Sequence, residues 1–183
     1  YVAAMRANER FGGQLPPIYL ATLRNKMLQL STEISEGAIW ANASLSHMAK
    51  QLSEVPNAVR DDFFLANMIP TVIDEDVEAA RAVNRRTLTG YVSLPNYRNY
   101  WRAAGYVEEM DAIEAAIEAG NKDILPSLMS DKWLDDNTIS GSASHVRARF
   151  EEWAHAGVTP IAVMSSTTGG QVKAINQLFD VYN

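Results

Sequence analysis

Residues 17–43 read PIYLATLRNKMLQLSTEISEGAIWANA, and their pattern changes period twice. Ile18, Tyr19, Leu20, Ala21 and Thr22 form a short apolar run rich in β-formers, and Pro16 and Pro17 block a helix before it, so a buried parallel strand is expected. From Leu23 the apolar residues Leu23, Met27, Leu30 and Ile34 fall on one helical stripe. Gly37 is placed to take a left-handed C-cap, and Ala38, Ile39, Trp40 and Ala41 start a second strand. This is a βαβ unit, whose crossover is right-handed.

In such a unit a ligand lies beyond the carboxyl end of the strand, where the next helix offers free N–H groups and a partial positive charge. That place is Thr22, Leu23, Arg24 and Asn25. A hydroxyl, an amide and a fixed cation there suit a phosphate. The same residues also serve as a plain helix cap with Arg24 solvated, and the sequence leaves both roles open.

Strands are expected at residues 18–22, 38–42, 64–73 and 158–164, the third with its pairing interrupted near Pro70. Helices are expected between them: one from Ser44 to before Pro56, one over 75–91 ended by Pro95, one over 107–119, a short one around 128–134, and one capped by Ser142 and ended by Gly157. Val146, Phe150 and Trp153 form the buried stripe of the last of these. A closing helix carries Val172, Ile175, Leu178, Phe179 and Tyr182. Strands alternating with helices read as α/β with a parallel sheet, in a single domain over 1–183. Tyr97, Tyr100, Trp101 and Tyr106 read as core packing.

The 183 residues are 47% hydrophobic and 21% charged, the profile of a globular chain with a real core. A net charge of −6 argues against a nucleic-acid partner, which needs clustered Lys and Arg. No run approaches the roughly 18 apolar residues of a membrane span, and the start lacks a signal-peptide layout, so a cytoplasmic protein is expected. The absence of Cys excludes thiolate chemistry and disulfides. The chain opens on Tyr1 rather than Met, and a processed product or part of a longer reading frame is expected.

His47, His145 and His155 each sit on or beside a helix, away from the strand ends and without a second ligand at metal spacing, so no metal site is expected. No G-x-S-x-G elbow occurs, and no catalytic residue is assigned. The loop at 165–170, SSTTGG, has the hydroxyls and glycines of a phosphate cradle, or of an ordinary surface loop.

The run IYLATLRNKMLQLSTEISEG resembles the luciferase-like monooxygenase family, the bacterial-luciferase type of flavin or deazaflavin oxidoreductase, whose pattern there is I-Y-L-A-A-x-G-P-K-M-L-x-L-A-G-E-I-A-D-G. Tyr91 to Arg98, YVSLPNYR, is similar to the family's Y-x-x-L-P-N-Y-R, and Ser140-Gly141-Ser142 with the later Ala156-Gly157-Val158 is similar to its G-T-P-E helix and A-G-V. The likeness covers most of the chain and only the C-terminal half of such proteins. It implies the second half of a TIM (β/α)8 barrel, and a flavin-dependent oxidoreductase or monooxygenase acting on a small molecule. The implied cofactor is FMN or, as the alternative, a deazaflavin coenzyme. The implied phosphate-binding residues are Ala21, Thr22, Leu23, Arg24 and Asn25, with Trp40 and Asn42 as pocket wall. Arg24-Asn25 replaces the family's Gly-Pro, so either Arg24 reaches the phosphate or the loop no longer cradles it. A half barrel leaves strand edges and inner faces open, so self-association or a complementary N-terminal half is expected. The competing expectation is a non-catalytic truncated paralogue that binds a ligand or partner.

Overall fold

The computed structural model describes residues 1–8, 10, 15–56 and 61–182. After a short helix α1 (Val2–Arg6) come β1 (Tyr19–Ala21), α2 (Asn25–Ile34) and β2 (Gly37–Ala41). A 3-10 turn (Leu45–His47) leads into α3 (Met48–Leu52), then β3 (Phe64–Ile73). Next come α4 (Val77–Val92), α5 (Pro95–Ala103), α6 (Val107–Glu118), a 3-10 segment (Lys122–Leu128) and α7 (Asp131–Asn137). The chain then runs through β4 (Ile139–Gly141), α8 (Ala143–His155), β5 (Thr159–Val163) and α9 (Gln171–Asp180).

All strand pairs are parallel, and the sheet runs β1-β2-β3-β4 with β5 also on β3. The α/β reading therefore holds, but the strand list needed one addition. β3 pairs with β5 from Ala66 to Pro70 and with β4 from Thr71 to Ile73. The interruption expected at Pro70 is thus a change of partner, in a strand that continues through it: proline lacks the N–H that a continuous ladder needs. The sequence reading gave no strand at Ile139–Gly141, where three residues lie between two helices.

The βαβ unit forms as expected with three corrections. β1 is not the buried strand expected: among the described residues it lies at the edge of the sheet, with Tyr19 and Ala21 exposed and Leu20 half-buried. α2 starts at Asn25, not Leu23, and buries Leu28 and Ser31, while Met27 and Leu30 stay 42% and 40% exposed. The Ser31 hydroxyl turns back to the Leu28 carbonyl at 2.6 Å, which lets a polar residue face the sheet. Gly37 is not a left-handed cap. It sits in β2 opposite both Tyr19 and Phe64, and a Cβ there would lie 2.5 Å from the Phe64 carbonyl oxygen. The helix before it ends at Ser35 in extended conformation.

Elsewhere local chemistry sets the boundaries. The Asp76 carboxylate accepts from the N–H groups of Glu78 and Ala79 and so starts α4. Pro95 opens α5 at its first turn, where its missing N–H costs nothing. The Ser142 hydroxyl caps α8, and Gly157, with φ +85°, follows it. Trp40, Trp101, Trp133 and Trp153 are all fully buried, and Tyr100 and Tyr106 join them in the core.

Two sets of apolar side chains stay open to solvent. Tyr19 and Met68, which point to the same side of the sheet, are each 41% exposed. On α9 only Ala174 is buried, while Val172 and Phe179 are 76% and 69% exposed. Among the described residues no helix is long and apolar enough to cross a membrane.

Candidate functional site

β1 ends at Ala21, and the ladder persists one step further because the Thr22 N–H donates to the Ile39 carbonyl at 2.9 Å. The chain then leaves the sheet through Leu23. Arg24, extended at φ −132° and ψ 162°, is the N-cap of α2, and no side chain caps the helix. Its carbonyl accepts from the amides of Met27 and Leu28, which leaves those of Asn25 and Lys26 outside the helical ladder at the open end. A βα turn at the carboxyl end of a parallel strand has thus placed uncommitted donors where the helix dipole is positive.

That end opens into a cavity of about 530 Å³. Arg24, Asn25 and Lys26 form one wall; His47, Lys50, Gln51 and Tyr100 form the other, and among the described residues no carboxylate lines it. Among the described residues Arg24, Lys26 and Lys50 take part in no ion pair, whereas Arg81, Arg85, Arg98, Arg102, Arg147 and Arg149 are all paired. An unpaired cluster of cations around free amides has the charge and the donor chemistry that an anion needs.

On the other side of the same turn lies a more apolar cavity of about 450 Å³, lined by Ala21, Thr22, Leu23, Ile39, Trp40 and Tyr97 among others. Among the buried polar atoms without partners, Thr22 Oγ1 lies just past β1, Trp40 Nε1 and Asn42 Nδ2 at the end of β2, and Asn67 Nδ2 in the first half of β3, with Arg98 Nε, Trp133 Nε1 and Trp153 Nε1 elsewhere. Trp40 and Asn67 are register partners, and Asn42, at φ +58°, ends β2 in the left-handed region. Buried polar groups are normally satisfied, so unmet ones at the carboxyl ends of β1 and β2 leave hydrogen-bonding capacity unused there.

Burial, then the charge of Lys50, hold His47 below the ordinary imidazole range, and the charge of Asp136 only partly offsets them. The His47 ring meets Tyr100 edge-on, with centroids 5.8 Å apart. Burial pushes the Tyr100 hydroxyl well above the usual phenol range, so it stays protonated.

The sequence model of the luciferase-like monooxygenases matches residues 3–160. The chain belongs to that family. Its structure superposes on coenzyme F420-dependent tetrahydromethanopterin reductase from Methanopyrus kandleri with a TM-score of 0.72 at 20% identity, over 88% of this chain and 48% of that one. It also superposes on an F420-dependent secondary alcohol dehydrogenase, in complex with an F420-acetone adduct, with a TM-score of 0.62 at 13% identity, over 91% and 47%. At these identities the likeness is one of fold. The chain spans about half the length of either luciferase-like TIM barrel protein. No curated protein sequence matches it.

In this family member the structure brings Ala21, Thr22, Leu23, Arg24 and Asn25 together around the turn between the two cavities. Trp40 lines the apolar cavity but is fully buried, and Asn42 lines neither. The reading of His47 as remote from the strand ends is corrected: it follows β2 by six residues and faces Arg24 across the basic cavity. Lys50, Gln51 and Tyr100 were not anticipated as site residues. For Lys50 and Gln51 the only signal is coarse, since the segment after a parallel strand belongs to the same rim as the turn after its neighbour; Tyr100, on α5 beyond the whole of α4, carries no such signal.

The loop at 165–170 is differently committed. Thr168 donates to the Asp74 carboxylate at 2.5 Å, and that bond, with the Asp76 amide, holds Asp74 below the usual carboxylate range. Its hydroxyl therefore faces an acid. His155 Nδ1 lies 2.7 Å from the Glu151 carbonyl, within its own helix. Among the described residues no group of three or more His, Cys, Asp or Glu is placed to hold a metal.

Proposed function

We propose that this chain is the portion of a luciferase-like oxidoreductase that holds the anionic tail of a deazaflavin coenzyme, at the turn between β1 and α2. The observation that carries the reading is the uncapped start of α2 opening onto Arg24, Lys26 and Lys50, none of them in an ion pair. The residues fit the group: free amides and unpaired cations for an anion, unmet donors at the strand ends for polar ring atoms, and apolar walls for the ring itself. FMN is the flavin implied by the sequence resemblance; the two F420-dependent neighbours favour the deazaflavin instead.

When bound, the coenzyme supplies hydride chemistry, and the protein supplies binding and orientation. Arg24 takes the place of the family's small glycine, and its unpaired side chain supports the reading in which it reaches the anion itself. Asn25 and Lys26 present amides to the same group, and Lys50 adds charge from the opposite wall. Thr22, with Oγ1 buried and unmet, offers a donor or acceptor at the boundary of the apolar cavity. That cavity suits a small apolar substrate or the coenzyme ring, with Trp40 and Tyr97 in its wall.

Fluorescence titration of the chain with coenzyme F420, and separately with FMN, tests this. Saturable F420 binding that Arg24→Glu abolishes, with weaker FMN binding, is expected. Failure of both cofactors to bind overturns it. The exposed apolar surface favours a second possibility, a binding module that takes up the coenzyme without turnover, which hydride-transfer assays separate from the first.

A further inference from the structure

The turn that carries the anion site is held from across the cavity. The Leu23 carbonyl, the last before the helix cap, accepts from Gln51 Nε2 at 3.0 Å. Gln51 belongs to α3 and is 1% exposed. Its other end, Oε1, accepts from the Tyr100 hydroxyl at 3.1 Å, and the same hydroxyl oxygen accepts the Ser44 N–H at 3.0 Å. Ser44 Oγ donates to Asn137 Oδ1 at 2.7 Å, and this oxygen also accepts Trp101 Nε1 at 2.8 Å. Trp101 Nε1 lies 3.2 Å from the Asn42 carbonyl as well. A continuous buried chain therefore runs from the turn after β1 to the turn after β2.

Each member has a defined polarity, which fixes the Gln51 amide in one orientation: donor toward Leu23, acceptor toward Tyr100. Without that hold the peptide between Leu23 and Arg24 is free to rotate, and the direction in which the Arg24 N–H and side chain meet the cavity is lost, while the amides of Asn25 and Lys26 stay fixed by α2. Buried polar chains of this kind act as units.

We infer that Gln51, acting through the Leu23 carbonyl and braced by Tyr100, is a positioning residue that sets the anion site and couples it to the Asn42 end of the sheet. This rests on the reading of the α2 start as an anion site. Gln51→Met removes both bonds at similar volume; Gln51→Glu keeps the shape but points an acceptor at the Leu23 carbonyl; Tyr100→Phe removes the hydroxyl and keeps the ring against His47.

The test is calorimetric titration of the full chain with sulfate, which carries the same charge across the working pH range, and with coenzyme F420, alongside melting curves. Gln51→Met is expected to weaken both by about tenfold, and Tyr100→Phe by a few-fold, with the double variant no worse than Gln51→Met alone. The defect of Gln51→Glu relative to wild type should shrink at acidic pH, as the introduced carboxyl protonates and regains a donor. A purely structural role would lower melting temperature without that pH rescue. Wild-type affinity in Gln51→Met, or losses that multiply in the double variant, would overturn the inference while Arg24→Glu still tests the site. If wild type binds neither probe, the site reading and the inference fall together. Should Gln51→Met fail to fold, Tyr100→Phe decides: unchanged affinity overturns the coupling.

Discussion

The rings of Tyr19 and Phe64 meet at a tilt of 34° with centroids 4.8 Å apart, across Gly37, their common register partner in the strand between them. They meet because the middle residue has no side chain, an arrangement that pins β1, β2 and β3 in register. Gly37→Ala is therefore expected to destabilise the fold by about 1–3 kcal/mol, since the new Cβ would press on the Phe64 backbone and the Tyr19 ring. A thermal melt checks this; an unchanged midpoint would show that the strands shift freely.

The same residue shows how much was legible in the sequence. The order strand, helix, strand around Gly37 is legible, because a helical period of 3.6 between two short apolar runs leaves a clear mark, while the burial of β1 and the start of α2 are not. The role of Gly37 was not legible, since that depends on which residues face it from two other strands. Likewise β4 is too short for a period, and the pairing of β5 with β3 is a tertiary choice. At the site, Thr22 to Asn25 followed from the geometry of any parallel βα turn. Lys50, Gln51 and Tyr100 did not, because α3 and α5 bring them in from 25 to 75 residues away along the chain.

Arg98, in the segment that resembles the family's Y-x-x-L-P-N-Y-R, is 5% exposed, donating to the Val92 carbonyl at 2.9 Å and to Glu114 at 2.8 Å. It closes the end of α4 and ties α5 to α6, a structural role. Arg98→Met should cost about 1–3 kcal/mol through the orphaned Val92 carbonyl and leave coenzyme affinity intact in the folded fraction. Denaturant unfolding with a binding assay separates the two effects, and a loss of affinity at normal stability would assign Arg98 to the site instead.

His47 gives the site a pH dependence whose sign follows from its lowered pKa. Between that lowered value and 6.5 the unfolded chain binds the proton and the folded chain does not, so stability falls as pH drops below 6.5. A bound anion favours the protonated ring, so sulfate affinity should rise over the same interval, by roughly two- to fivefold. His47→Gln should flatten both trends. Calorimetry across pH 5–8 checks them, and an affinity that falls on acidification would remove His47 from the anion's surroundings.

Val172, Ile175, Phe179 and Tyr182 on α9 and just beyond it, and Tyr19 and Met68 on the sheet, leave exposed apolar surface of the kind that globular proteins cover. The isolated chain is expected to self-associate or to bind a complementary half barrel. Size-exclusion with light scattering should report masses above the 20.2 kDa of one chain. A monodisperse monomer would refute this.

The central claim is that the open start of α2 holds an anionic coenzyme group through Arg24. Coenzyme F420 titrated into wild type and Arg24→Ala tests it most directly. Loss of one charge-assisted bond should weaken binding roughly ten- to hundredfold, with the melting temperature unchanged. Equal affinity in the two proteins would contradict the account.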